Sequence, residues 1–422
     1  MGIRIVLILL LVGLAEYYSF IVVRSALRTL PGGWRTGILS FYILLTLLAW
    51  AGVFTFRRIN WAELPHLVRN VYIAFMIGFT VGKILIAAIM LVDDVRRLIL
   101  WTINLFYTGG TKAPEMSEQP AGTTRTGISR SIFLSRLALI SGGIALSGFL
   151  YGITNRYNYK IRRLKLSFAN LPAAFKGLKI VQISDIHTGS FDDHHAVSRG
   201  IQHVLDERPD LILFTGDLVN NKSEEVDDYR DIFARLQAPM GVYSVLGNHD
   251  YGDYATWDSP AAKHDNLEVL KKAHADFGWK LMMNEHVLLE RGGESIALIG
   301  IENWSAKAQF PKYGDMAKAY AGLPEKKVPF QILMSHDPSH WDAQVLPAYK
   351  DVDLTLSGHT HGMQFGVEIP WLKWSPVQYV YKKWAGLYQE GKQFLYVNRG
   401  FGFLGYPGRL GILPEITVIE LV

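Results

Sequence analysis

The chain of 422 residues contains no cysteine. That excludes disulfides, thiolate zinc sites and cysteine nucleophiles, so any bound metal must be held by Asp, Asn, Glu or His. It does not fix a compartment, since many proteins outside the cytoplasm also lack disulfides. A strong charge of either sign is missing too: 43 Lys/Arg stand against 38 Asp/Glu, a formal +5. The excess is local. Residues 1–153 carry 14 Lys/Arg against 6 Asp/Glu, a balance of +8, and residues 154–422 a balance of −3. The basic part is also the hydrophobic part, where cationic side chains flank apolar helices and set topology. A nucleic-acid partner loses its main support, and none is expected.

Long hydrophobic runs are present. Residues 3–23, 37–56, 70–92 and 132–153 are each long and apolar enough to span a bilayer. The first lacks the small-residue cleavage site of a signal peptide. Lys83 and Glu16 lie inside these runs, where they pair or snorkel, with an ion pathway as the less supported alternative. Residues 95–107 either extend the third helix or lie in the interface. Residues 108–130 are polar and rich in Gly, Pro and Thr, and read as a linker. The expected organisation is membrane helices over 1–107 (about three spans), a linker over 108–130, a fourth helix or signal-anchor over 131–153, and a catalytic domain over 154–422.

From about residue 160 short apolar runs alternate with amphipathic ones. "LKIVQIS", "LILFTG", "GVYSVLG", "SIALIGI", "FQILMS", "VDLTLSG", "QFLYVN" and "EITVIEL" read as strands, and "HAVSRGIQHVLDER" and "DYRDIFARLQ" as helices. The polar residues after these strands form one set. "SDIH" supplies Asp185 and His187, which an extended chain would project from one face. "TGDLV" supplies Asp217, "LGNHD" Asn248, His249 and Asp250, "MSHDP" His336, and "SGHTHG" His359 and His361. Gly216, Gly247 and Gly358 sit beside them, where a sharp turn or a close ligand needs a residue without Cβ. Five of the thirteen histidines fall in these motifs, so the clustering is not scatter. The oxygen and nitrogen donors are too many for one tetrahedral zinc. They suit two divalent ions, of which Mn, Fe or Zn match mixed Asp/Asn/His donors better than Ca²⁺ or Mg²⁺. Two ions roughly 3.5–4 Å apart are a device for displacement at phosphorus.

The ordered set D-x-H, G-D, G-N-H-D, H, G-H-x-H resembles the calcineurin-like metallophosphoesterase superfamily, over about residues 175–422. "GNHDYG" and the ending "NRGFGFLGYPGRLGILPEITVIEL" more narrowly resemble its YkuE-like branch, which in turn resembles enzymes that cleave UDP-diacylglucosamine. The resemblance implies an α/β fold, a four-layer αββα sandwich, here preceded by transmembrane helices. It implies that Asp185, His187 and His361 hold one metal, that Asn248, His336 and His359 hold a second, and that Asp217 bridges them. It implies that His249 sits by the leaving-group oxygen as acid or electrostatic stabiliser, its ring oriented by Asp250. Arg399 and Arg409, flanking the glycine-rich tail loop, either contact a substrate phosphate or form structural ion pairs.

The expected activity is that of a membrane-anchored two-metal phosphohydrolase cleaving a phosphodiester or pyrophosphate bond, with a lipid or lipid-linked phosphoester as substrate and the bilayer as partner. A broad phosphatase or phosphodiesterase on soluble nucleotides is the enzymatic alternative, and a transporter or sensor led by residues 1–153 the non-enzymatic one. Residues 366–388 hold Trp371, Trp374, Tyr379, Tyr381, Trp384 and Tyr388 among lysines, and read either as core or as an interfacial lip. Residues 128–143 resemble a twin-arginine export signal lacking its second arginine. That places the protein in a bacterial inner membrane with the catalytic domain outside the cytoplasm.

Overall fold

The structure is a computed structural model that describes residues 2–55, 64–107 and 130–422. The chain divides into two compact units, Met1–Tyr151 and Gly152–Val422. All but Arg130 of the segment read as a linker, 108–130, lies outside the described residues.

The first unit is helical: α1 (Gly2–Ala26), α2 (Gly32–Thr55), α3 (His66–Tyr107) and α4 (Arg130–Gly152). Among the described residues, Gly32–Thr55, His66–Phe106 and Ile132–Asn155 are long and apolar enough to cross a membrane. The first expected span, 3–23, lies within α1. Residues 95–107 continue α3, which runs 42 residues without a break. Lys83 of α3 reaches both carboxylate oxygens of Glu16 of α1 at 2.7 and 2.9 Å and the Thr46 hydroxyl of α2 at 3.0 Å. Each charge is thereby paired among apolar helices, the condition under which such residues persist there.

The second unit carries fourteen strands among the described residues: β1 (Lys160–Leu166), β2 (Lys179–Ile183), β3 (Leu211–Phe214), β4 (Val242–Ser244), β5 (Lys280–Leu281), β6 (Glu285–Arg291), β7 (Glu294–Gly300), β8 (Gln331–Met334), β9 (Leu354–Ser357), β10 (Val367–Ile369), β11 (Leu372–Trp374), β12 (Gly386–Glu390), β13 (Gln393–Val397) and β14 (Glu415–Leu421). They form two six-stranded sheets, β1-β14-β2-β3-β4-β5 and β12-β13-β9-β8-β7-β6, and a two-stranded ribbon, β10-β11.

Period-two alternation sorts the side chains into layers. Ile180, Leu211, Leu213 and Ile419 of one sheet meet Leu298, Ile332, Met334 and Leu356 of the other in a common core. On the outer face of the first sheet, Val181, Ile183, Ile212 and Phe214 pack on Val197, Ile201 and Val204 of helix His194–Asp206 and on Leu270 and Ala273 of helix Pro260–Asp276. On the outer face of the second, Ala297, Ile299, Leu333 and Val397 pack on Met316, Ala319, Trp341 and Val345. The result is four layers, helix on sheet on sheet on helix. The helix read over "DYRDIFARLQ" is shorter than its pattern: a 3₁₀ stretch Ser223–Tyr229 precedes a single turn, Arg230–Phe233. Glu225 there accepts from the backbone N–H groups of Asn220, Asn221 and Lys222, which ties the segment into a turn instead.

Candidate metal centre

The motif residues leave the C-terminal ends of β2, β3, β4, β8 and β9, which draws them from both sheets to one edge of the sandwich. Asp185, His187 and His361 offer ligand atoms within 4.8 Å of one another, and Asp217, His336 and His359 do the same. His187 Nε2 and His361 Nε2 face each other at 3.0 Å, and Asp185 Oδ1 is 3.3 Å from the latter. Asp217 Oδ2 stands between the groups, 3.6 Å from His187 Nε2 and 3.1 Å from His336 Nε2. Its Oδ1 accepts from the His249 backbone N–H at 2.9 Å.

Local backbone geometry differs from the extended chain that the D-x-H spacing suggests. β2 ends at Ile183, and Asp185 and His187 both take left-handed φ of 53°. Asp217, His359 and His361 are left-handed as well, at 61°, 72° and 50°. Such conformations cost roughly 1–3 kcal/mol per non-glycine residue and persist where surrounding structure over-determines them. Here cross-strand amides do so: Asp185 and Ile186 donate to the carbonyls of Gly216 and Asp217, and Gly358 to that of His336. A Cβ on Gly216, itself at φ 97°, would lie 2.8 Å from His336 Nδ1. Convergence of the side chains is thus a property of turns locked to one another.

The donor set fits cations. Burial pushes the His359 ring down to about 4, so it is neutral and carries one proton. Asp337 accepts the Tyr381 hydroxyl at 3.1 Å, and the Tyr381 oxygen accepts from His359 Nε2 at 2.8 Å. His359 Nδ1 is left a lone pair, and it faces Asn248 Oδ1 at 2.8 Å, whose amide nitrogen already donates to Tyr254 at 3.0 Å. Two acceptors in contact call for a cation between or beside them. His336 Nδ1 donates to the Thr215 carbonyl at 2.7 Å, which turns its buried Nε2 toward Asp217. Burial opposes charge on His336, yet Asp217 and Asp185 push it up to about 10. Burial pushes Asp185 up to about 6, with the Asp217 charge adding to it. Without an ion, the chain sets the charge of His336 against these carboxylates, at the place where a divalent ion would supply it.

Asp250 has a different place from the one expected. It does not touch the His249 ring. Its carboxylate accepts from the backbone N–H groups of Asp217, Leu218, Val219 and Gly247 at 2.8–3.2 Å, and so fixes the loop that carries Asp217. Burial and the Asp217 charge push it up to about 7, against the amides of Gly247 and Val219. The His249 ring is oriented by the Asn220 carbonyl, which accepts from Nδ1 at 2.8 Å and leaves Nε2 as the free ring nitrogen. Arg399 and Arg409 are both buried. Arg399 pairs with Glu415 at 2.5 Å and Glu368 at 2.6 Å, and Arg409 donates to the carbonyls of His361, Arg399, Gly400 and Gly402. They hold the tail loop and the His361 turn. Sequence reasoning missed Tyr381, Asn220 and Asp337 as parts of the site. Only Asp337 carried a signal, by following His336 directly.

A double-sheet sandwich whose strand ends gather carboxylates and imidazoles into two adjoining groups is the frame of a metal-dependent hydrolase. Residues 178–363 match the family model of the calcineurin-like phosphoesterases, and residues 3–156 that of a probable calcineurin-like phosphoesterase transmembrane domain. The chain belongs to the calcineurin-like phosphoesterases. It is 32% identical over 262 residues to the uncharacterized metallophosphoesterase YkuE of Bacillus subtilis, covering 60% of this chain and 81% of YkuE. Phosphodiesterase YaeI of Escherichia coli is 28% identical over 303 residues, covering 70% of this chain and 100% of YaeI. The UDP-2,3-diacylglucosamine pyrophosphatase LpxG of Chlamydia muridarum is 27% identical over 288 residues, covering 57% of this chain and 81% of LpxG. The chain is a membrane-associated metallophosphoesterase, a hydrolase of phosphoric esters.

Proposed function

We propose that this protein is a two-metal phosphohydrolase that cleaves a phosphodiester or pyrophosphate bond of a lipid or lipid precursor. The observation that carries the two-metal part is Asp217 Oδ2, placed within 3.6 Å of one group and 3.1 Å of the other. Asp185, His187 and His361 would hold one ion, Asn248, His336 and His359 the other, and Asp217 would serve both; Mn, Fe or Zn would suit this set. Bound ions supply Lewis acidity and a nucleophile at neutral pH. Asp250 holds the Asp217 turn, and the Asp337–Tyr381 pair fixes the His359 tautomer. His249, with Nδ1 tied to Asn220, offers Nε2 to the leaving-group oxygen.

The lipid part is supported by the membrane helices, which concentrate the enzyme where such substrates lie, and by the similarity to LpxG, a UDP-2,3-diacylglucosamine pyrophosphatase. Its test is hydrolysis by the full chain, supplied with Mn²⁺, of a lipid pyrophosphate and a lipid phosphodiester in mixed micelles against a soluble nucleotide ester. The lipid-linked substrates are expected to show the higher kcat/KM. Equal or better turnover of the nucleotide ester would overturn the lipid assignment in favour of a broad phosphodiesterase.

In this proposal the catalytic unit lies outside the cytoplasm of a bacterial cell, a reading supported by the export-like pattern at 128–143. Glu224 has a side chain 72% exposed. Glu224→Cys, in this cysteine-free chain, is expected to react with a membrane-impermeant maleimide in intact cells whose outer layer has been permeabilised. Reaction only after lysis would put the unit in the cytoplasm.

A further inference from the structure

The aromatic segment after His361 is neither wholly core nor wholly surface. Trp384 and Tyr381 are buried with Val377, Ala385 and Ile412. The ribbon ahead of them has two unlike faces. β10 and β11 pair antiparallel, with Val367 opposite Trp374, Glu368 opposite Lys373 and Ile369 opposite Leu372. Cross-strand partners share a face, and successive residues alternate. On one face Glu368 is held by Arg162 and Arg399, both at 2.6 Å, and Lys373 donates to the Ala385 carbonyl. These contacts root the ribbon in the catalytic unit. On the other face Ile369 and Leu372 are about 40% exposed, and Trp371 at the tip is 81% exposed. Met363, Tyr379 and Val380 extend this surface, Tyr379 at 77% exposure. Seven of the thirteen exposed large hydrophobic residues of the catalytic unit fall in the eighteen residues 363–380, so this is a patch and not scatter.

We infer that this ribbon face docks on the bilayer surface, Trp371 and Tyr379 lying at headgroup depth beside the metal centre. Chain length keeps the bilayer within reach. The last membrane-length helix runs to Asn155 and β1 begins at Lys160, so the four residues between them span at most about 14 Å. Within the catalytic unit, the carbonyl of its first residue, Gly152, accepts from Arg409 N–H at 2.9 Å. The next residue, Leu410, donates to the Gln364 carbonyl at 2.8 Å and accepts from Gly366 N–H at 2.9 Å, at the root of the ribbon. The point where the chain enters the catalytic unit and the ribbon root are therefore fastened to consecutive residues of one loop of that unit. Tryptophan and tyrosine favour the membrane–water boundary, where ring and polar edge are both satisfied. The docking deepens the lipid reading by bringing the His361 turn to the lipid headgroups, but it stands on the ribbon and is read without catalysis.

The test uses the full chain in nanodiscs of zwitterionic and anionic lipid. Leu372→Cys provides a single thiol for a nitroxide and leaves Trp371 in place; Glu224→Cys is the aqueous control. The label at 372 is expected to collide more with oxygen and less with a water-soluble nickel complex than the control, at a depth of roughly 5–10 Å. Adding Trp371→Ser and Tyr379→Ser is expected to return it to the control value. Nickel accessibility at 372 equal to that at 224 would overturn the proposal, and so would low access to both reagents, the mark of a protein partner. Asp217→Asn in the same background is expected to keep the label at the same depth, so loss of the two-metal reading would leave this result intact.

Discussion

Asp217→Asn is expected to lower kcat/KM by about 10³-fold or more and to lower metal content together with it. The substitution preserves size and removes one charge, but its effect is larger than a lost charge alone. In the native turn Oδ1 accepts from the His249 amide at 2.9 Å while Oδ2 faces His187 and His336. An amide cannot serve both sides. With its oxygen toward the backbone it sets two N–H donors where imidazole lone pairs converge. Turned over, it opposes N–H to the N–H of His249. Either way no anionic oxygen remains common to both groups. The charge stabilisation that two ions provide at phosphorus is worth several kcal/mol, and each 1.36 kcal/mol is tenfold in rate, which gives the stated magnitude. Elemental analysis and steady-state rates on one preparation check it. Two metals per chain with wild-type turnover would overturn the bridging assignment.

Much of this arrangement could be read from the chain, and the part that could not has a physical cause. Strands such as "FQILMS" and "LILFTG" are visible because both of their faces are buried, which leaves nearly continuous apolar runs bounded by turns. That the polar residues after them meet at one edge follows from strands carrying loops at a common end. The way they meet was not visible. Spacing suggested that Asp185 and His187 share the face of an extended chain, whereas both are left-handed and aimed by a turn. Composition cannot report a φ angle imposed by partner amides such as those linking Asp185 to Gly216. Asp250 illustrates a second gap. The family resemblance implied that Asp250 orients the His249 ring, but a carboxylate beside a tight turn is drawn to the backbone N–H groups that the turn exposes. Tyr381 is a third. It reaches His359 across 22 positions, through a segment whose aromatic content read equally well as core or surface. Alternation separates the two faces of that segment only once the register Glu368 to Lys373 is known.

His249→Ala is expected to slow turnover by roughly 10²–10⁴-fold, the range for a lost acid–base group, while leaving metal content nearly intact. The separation of the two effects rests on where the side chain is tied. Its Nδ1 donates to the Asn220 carbonyl at 2.8 Å, and the ring lies edge-on to His187, centroids 5.0 Å apart, and against Tyr254. It belongs to neither group of converging ligand atoms. What holds Asp217 from this residue is the backbone N–H, which alanine keeps. The free Nε2 is then the atom whose loss is felt, at the oxygen that departs from phosphorus. If so, the cost should depend on the leaving group. A phenol with a low pKa needs little help, so the deficit of His249→Ala should shrink on an activated aryl phosphodiester and be largest on an alkyl ester. A uniform deficit across leaving groups would leave His249 as a stabiliser of charge on the phosphoryl oxygens and not as an acid. Loss of metal in the variant would make it a ligand and would require the two groups to be redrawn.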